Sequence, residues 1–249
     1  MPPFGLDPGV RAAAVGVVLA ALLAAGCSDI LVLPPSTTFD FACAALDHGE
    51  RFTVQSWLDD DLPQGLEGTG EWLRSPLSQA TGRTAESIRI AGARDLPARA
   101  AAPGGIMAWA ADQDVFRTDG AILMVAWVPR LEDANATGTV AAPGVVVLAH
   151  DTIAAAASAG RTFDEIGLAV LLHHVGHALG AINLGIPVQD PDIQVREGPP
   201  HHDPDPDSVL HRGWDDVRTV EWHNGPYDRF PAGALADWAA ARSATGACR

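Results

Sequence analysis

Apolar and polar positions follow two rhythms along this chain. Phe52-Thr53-Val54-Gln55-Ser56-Trp57 alternates with the period of a strand that buries one face. Residues 122–128 and 145–149 are continuous apolar runs rich in β-branched side chains and bounded by Gly or Pro, as buried strands are. Residues 87–90 form a shorter strand candidate, and residues 71–81 carry helical spacing. Thr162-Phe163-Asp164-Glu165 is a capping box, a threonine N-cap with a glutamate three residues on, and it opens an apolar helix that Gly180 is placed to end. Strands and helices in this order predict an α+β, mixed α/β fold built on one sheet.

The first residues do not belong to that pattern. After Arg11 come fourteen small or apolar residues, 12–25, a run too short to span a bilayer comfortably. The preceding positive charge and the small-residue end fit a secretory signal peptide over residues 1–26. Leu23-Ala24-Ala25-Gly26-Cys27 also resembles a bacterial lipobox, which would make Cys27 the lipidated first residue of the mature chain, with several acyl chains as a firm anchor. By the same resemblance, Ser28 favours the outer membrane, whereas an unused lipobox leaves the protein secreted. Residues 27–38, with Pro34-Pro35-Ser36-Thr37-Thr38, read as a tether to a domain over 39–249. Cys43 and Cys248 remain, and in an oxidising compartment they are expected to pair, the alternative being two separate buried thiols.

Composition narrows the classes. Sixteen basic residues, all arginine, stand against 31 acidic ones for a net charge of −15, which argues against a nucleic-acid partner. Apolar residues are 47% of the chain and seven are tryptophan, enough to bury a core and to exclude global disorder. There is no Gly-rich phosphate loop, no G-x-S-x-G elbow and no CxxC pair.

The chemistry concentrates in the apolar helix, at His173-His174-Val175-Gly176-His177-Ala178-Leu179-Gly180. The i, i+4 spacing of His173 and His177 puts both imidazoles on one face, where they can grip one zinc ion. Burying three unpaired imidazoles there for no purpose would be costly. This stretch resembles the active-site helix of the metzincin zinc peptidases, matrixin-like ones especially, whose pattern H-E-x-x-H-x-x-G-x-x-H precedes a Met-turn. The resemblance spans about residues 145–215. It implies a zincin-like domain with a twisted, mostly parallel sheet, a long zinc-binding helix within 39–180, and a smaller C-terminal subdomain over 181–249. Residues 145–153 would be the strand run leading to the metal helix.

Three departures qualify the resemblance. His174 stands where the family has its general-base Glu, and this should cripple hydrolysis. Glu165 lies too far along the helix to replace it. Asn183 stands at the third ligand position, and His201-His202-Asp203-Pro204-Asp205-Pro206-Asp207-Ser208-Val209-Leu210 resembles the family stretch from third histidine to Met-turn. Residues 181–200 then read as an insertion, and His202, eight residues before Leu210, is preferred to His201 as the displaced ligand. Leu210 takes the place of the Met-turn methionine, a substitute of similar volume. Asp190, Asp192, Asp203, Asp205 and Asp207 could serve calcium or form a solvated acidic loop. Trp214, Trp222 and Trp238 read as packing anchors, and Tyr227 as an exposed turn residue.

Two functions follow from these residues. One is a membrane-anchored, zinc metallopeptidase-like lipoprotein with ligands His173, His177 and His202 and with His174 in the place of the base. The other is a non-catalytic pseudopeptidase on the cell envelope that binds peptide, protein or zinc.

Overall fold

The computed structural model describes residues 35–47, 51–102, 104–117, 120–157, 161–182, 184–189, 202–220, 228–243 and 245–248. The signal segment, Cys27, Asn183, Asp190, Asp192, His201, Trp222 and Tyr227 lie outside them.

Five strands form one sheet: β1 (Arg51–Leu58), β2 (Ile88–Asp95), β4 (Gly120–Val128), β5 (Gly138–Ala142) and β6 (Val145–Ala149), in the order β2-β1-β4-β6-β5. The two-residue β3 (Phe116–Arg117) pairs antiparallel with β4 beside this path. β1 runs parallel to β2 and β4, and β4 parallel to β6, while β5 is an antiparallel edge strand on β6. The expected mixed α/β fold with a mostly parallel sheet is therefore present. All five residues of β6 are buried, as their unbroken apolar sequence requires of a strand covered on both faces. The turn between β5 and β6 is Pro143-Gly144, in which Gly144 takes φ 67°. A Cβ there would fall 2.3 Å from the Phe41 ring, so the turn accepts only glycine on two counts.

The main helices are α1 (Pro35–Leu46), α2 (Arg74–Thr81), α3 (Gly105–Ala111), α4 (His150–Ala156), α5 (Phe163–Ala178) and α6 (Ala232–Arg242). α5 packs on β5 and β6 and against α4. Three sequence expectations change here. The end of the stretch expected as a tether is helical instead, because α1 begins at Pro35 and Thr38 is already buried in the body of the protein. The strand expected over 145–153 ends at Ala149, where α4 takes over at His150. The helix expected over 71–81 is α-helical only from Arg74, after a 3-10 stretch over Leu66–Leu73.

The buried apolar residues described after 181 pack into the core of the sheet and helices. Leu210, Trp214, Phe230 and Trp238 belong to the same buried cluster as Phe41, Val146 and Leu171. α6 lies against α1 and α2, and the Cys43–Cys248 disulfide joins α1 to the segment following α6. Trp238, in α6, donates its indole N–H to the carbonyl of Leu179 at 3.0 Å and so covers the end of α5.

Candidate metal centre

α5 is held at both ends by its own sequence. Thr162 Oγ1 accepts from Glu165 N at 3.2 Å while Thr162 N donates to Glu165 Oε2 at 2.7 Å, which completes the capping box. At the other end Gly180, φ 75°, donates to His177 O and Ala181 donates to Gly176 O, the paired bonds of a Schellman motif. Twelve residues of the helix are buried, His173, His174 and His177 among them.

The rings of His173 and His177 meet at one point. Their Nε2 atoms are 3.1 Å apart, with ring planes 88° to each other. His202 arrives from the far side of the inserted segment and stacks on His173 with 5.4 Å between centroids and 18° between planes. Among the described residues, His173, His177 and His202 offer ligand atoms all within 4.8 Å of one another, and His173, His174 and Asp215 do the same. A metal ion can be held by either group. Imidazoles converging in this way suit a first-row divalent metal, which binds as their facing nitrogens give up their protons. At about 2.0–2.1 Å per bond, a tetrahedral zinc spreads its ligand atoms to roughly 3.3 Å, close to the 3.1 Å between the Nε2 atoms of His173 and His177. His202, preferred by its distance from Leu210, is the histidine at the cluster, whereas His201 lies outside the described residues.

The floor of the site comes from residues 208–215. His173 Nδ1 donates to Val209 O at 2.8 Å, which fixes the ring and turns Nε2 toward the cluster. Leu210 is fully buried, and its Cδ2 occupies the notch at Gly176, 2.4 Å from where a Cβ would stand. Leu210 thus packs against α5 on the side of Gly176.

Asp215 is the residue that reading the sequence missed. Its Oδ1 lies 2.8 Å from His173 Nε2 and its Oδ2 lies 2.9 Å from His202 Nε2. Burial pushes this carboxyl up, but charge on His173 and the hydrogen bonds from His173 and His202 outweigh burial and hold it well below the usual carboxylate range. Nothing in the sequence sets Asp215 apart from the other acidic residues, since a turn over Arg212–Asp215 and long-range pairing with residues 135–137 place it.

His174 is the third member of the group with His173 and Asp215, and its ring stands edge-on to that of His173 with 4.9 Å between centroids. Its ring lies against β5, where a Cβ on Gly138 would come 2.5 Å from His174 Cδ2. Both ring nitrogens are buried, with no hydrogen-bond partner among the described residues. Burial first, then the charge on His173, pulls its pKa from 6.5 down to about 3, with Asp215 opposing, so the ring is neutral at neutral pH. Glu165 is spent on the cap at the opposite end of α5.

The acidic run after His202 is used locally. Asp203 Oδ1 accepts from Asp205 N and Asp205 Oδ1 from Asp207 N, both at 3.0 Å, as turn-forming aspartates do. Neither metal-capable group among the described residues includes Asp203, Asp205 or Asp207. Trp214 and Trp238 are buried packing residues, as expected. No described helix is long and apolar enough to cross a membrane. No model of a known protein family matches the chain, and no curated protein or solved structure matches it either.

Proposed function

We propose that this chain is a metzincin-like zinc protein whose ion is held by His173, His177 and His202, and that it has lost efficient peptide hydrolysis. The observation that carries the reading is the convergence of three imidazoles on one point, two from one turn of α5 and one from a segment 25 residues further along. The mostly parallel sheet, the long helix that bears the histidines and the Leu210 floor are each what kinship with that family would require.

Zinc in such a site polarises a carbonyl and lowers the pKa of its water. The protein must then supply a base, and position 174 does not provide one. A ring whose conjugate acid gives up its proton near pH 3 takes one reluctantly at neutrality, and this ring is wedged against Gly138. The pseudopeptidase reading, a binding module for peptide or protein that keeps its zinc, is therefore favoured over an active protease. From residues 12–27 we further propose export and lipid anchoring at Cys27, on the outer membrane. Calcium on the acidic loop gains no support from the local turns that absorb Asp203 and Asp205.

The test is zinc content. The purified protein is expected to carry about one zinc per chain, and the His173→Ala/His177→Ala double variant none. Neither should cleave casein or a quenched peptide above background. Zinc far below one equivalent, or unchanged in the double variant, would remove the basis of the reading.

A further inference from the structure

The histidine spacing predicts a three-nitrogen site, yet the side chain lying closest to those nitrogens is a carboxylate. Each oxygen of Asp215 is set against one imidazole, Oδ1 against His173 and Oδ2 against His202, so the group straddles the edge between two ligands. A cation bonded to His173 and His202 would therefore have a carboxylate oxygen beside each of its two nitrogen ligands. A dication among three neutral rings would leave its whole charge against a buried helix, and one carboxylate offsets half of it. Asp215 and His202 are also the more open members of the cluster, with side chains 18% and 10% exposed, while His173 is closed to solvent. The carboxylate thus stands on the side from which a water or substrate would have to enter.

Its position is fixed by backbone. Thr137 N donates to Asp215 O and Val217 N to Asn135 O, both at 3.0 Å, while Thr137 Oγ1 donates to Trp214 O. The Trp214 indole is buried and donates to Ser208 O at 3.1 Å, which ties the turn back to the floor beneath the histidines. A carboxylate anchored on both sides in this way is presented to the cluster before any ion arrives, the usual mark of a ligand rather than of a swinging surface acid.

We propose that Asp215 is the fourth ligand of the ion, which makes this a closed site of three histidines and one aspartate. The inference rests on the zinc reading above and deepens it. Closed four-coordinate zinc is the structural kind, whereas a catalytic ion keeps a position for water. The ion then staples residues 202–215 to α5, and the loss of the base at 174 and the loss of the open position become two parts of one change.

Cobalt(II) tests this without any assay of activity, because its visible absorption reports coordination number and access by outside ligands. The full chain, stripped of zinc and loaded with cobalt(II), is expected to show intense four-coordinate bands that azide does not move. In Asp215→Ala and in Asp215→Asn the bands should shift with azide, and zinc should be held at least about tenfold more weakly. If azide moves the spectrum of the wild-type chain as it moves the variants, the closed site is overturned and the three-histidine site stands. If the wild-type chain takes up neither cobalt nor zinc in equivalent amount, the site itself is overturned. Should Asp215→Ala fail to fold, the wild-type azide titration and the near-isosteric Asn variant still decide.

Discussion

His174 is an imidazole whose buried ring nitrogens have no hydrogen-bond partner among the described residues. Desolvating ring nitrogens without returning a hydrogen bond costs stability, so an apolar side chain of similar volume should do better in its place. His174→Leu is expected to stabilise the metal-free protein by about 1–3 kcal/mol, read from urea unfolding at neutral pH. The pH dependence has a definite sign. The unfolded chain takes a proton on this histidine near pH 6.5, whereas the native ring refuses one until about pH 3. Its contribution to stability is thus complete above about 6.5 and is lost as the pH falls toward 3. His177, also pushed well below its ordinary value chiefly by burial, acts in the same direction. The Leu variant should therefore show a shallower acid limb than the wild type. A Leu variant less stable than the wild type would mean that the ring nitrogens do have a polar partner.

Between elements, α5 lies close on β5. Gly138 lets the edge strand lie flush against the helix, since a Cβ there would meet His174 Nε2 at 2.6 Å and Leu148 Cδ2 at 2.8 Å. Gly138→Ala should cost about 1–3 kcal/mol by overpacking, and less in the His174→Leu background if the two positions share one contact, which a double-mutant cycle measures. The legibility of these elements was uneven, for physical reasons. α5 announced itself because its cap, its glycine stop and its i, i+4 histidines are all local signals. β5 did not, because Gly-Thr-Val-Ala-Ala is short and small, and only its pairing with β6 makes it a strand. α1 was hidden behind a Pro-Ser-Thr-Thr opening that reads as linker until its apolar residues find the core. Asp215 was out of reach for the same reason, since its place is set by main-chain bonds to residues far off in the sequence.

For the whole molecule, the widest constraint is the Cys43–Cys248 bond, across a sequence separation of 205. The pairing expected from thiol count and compartment is present, and closing so long a loop restricts the unfolded chain far more than the folded one. Replacing both cysteines by serine should lower stability by on the order of 5 kcal/mol in the chain-entropy account, less any relief of strain, as a fall in denaturation midpoint that reductant reproduces in the wild type. The same bond has a geometric meaning. With 5.1 Å between their Cα atoms, Cys43 near the end of α1 and Cys248 after α6 stand side by side. The first and last main helices are thereby clasped to one another, so reduction of this one bond should loosen both together.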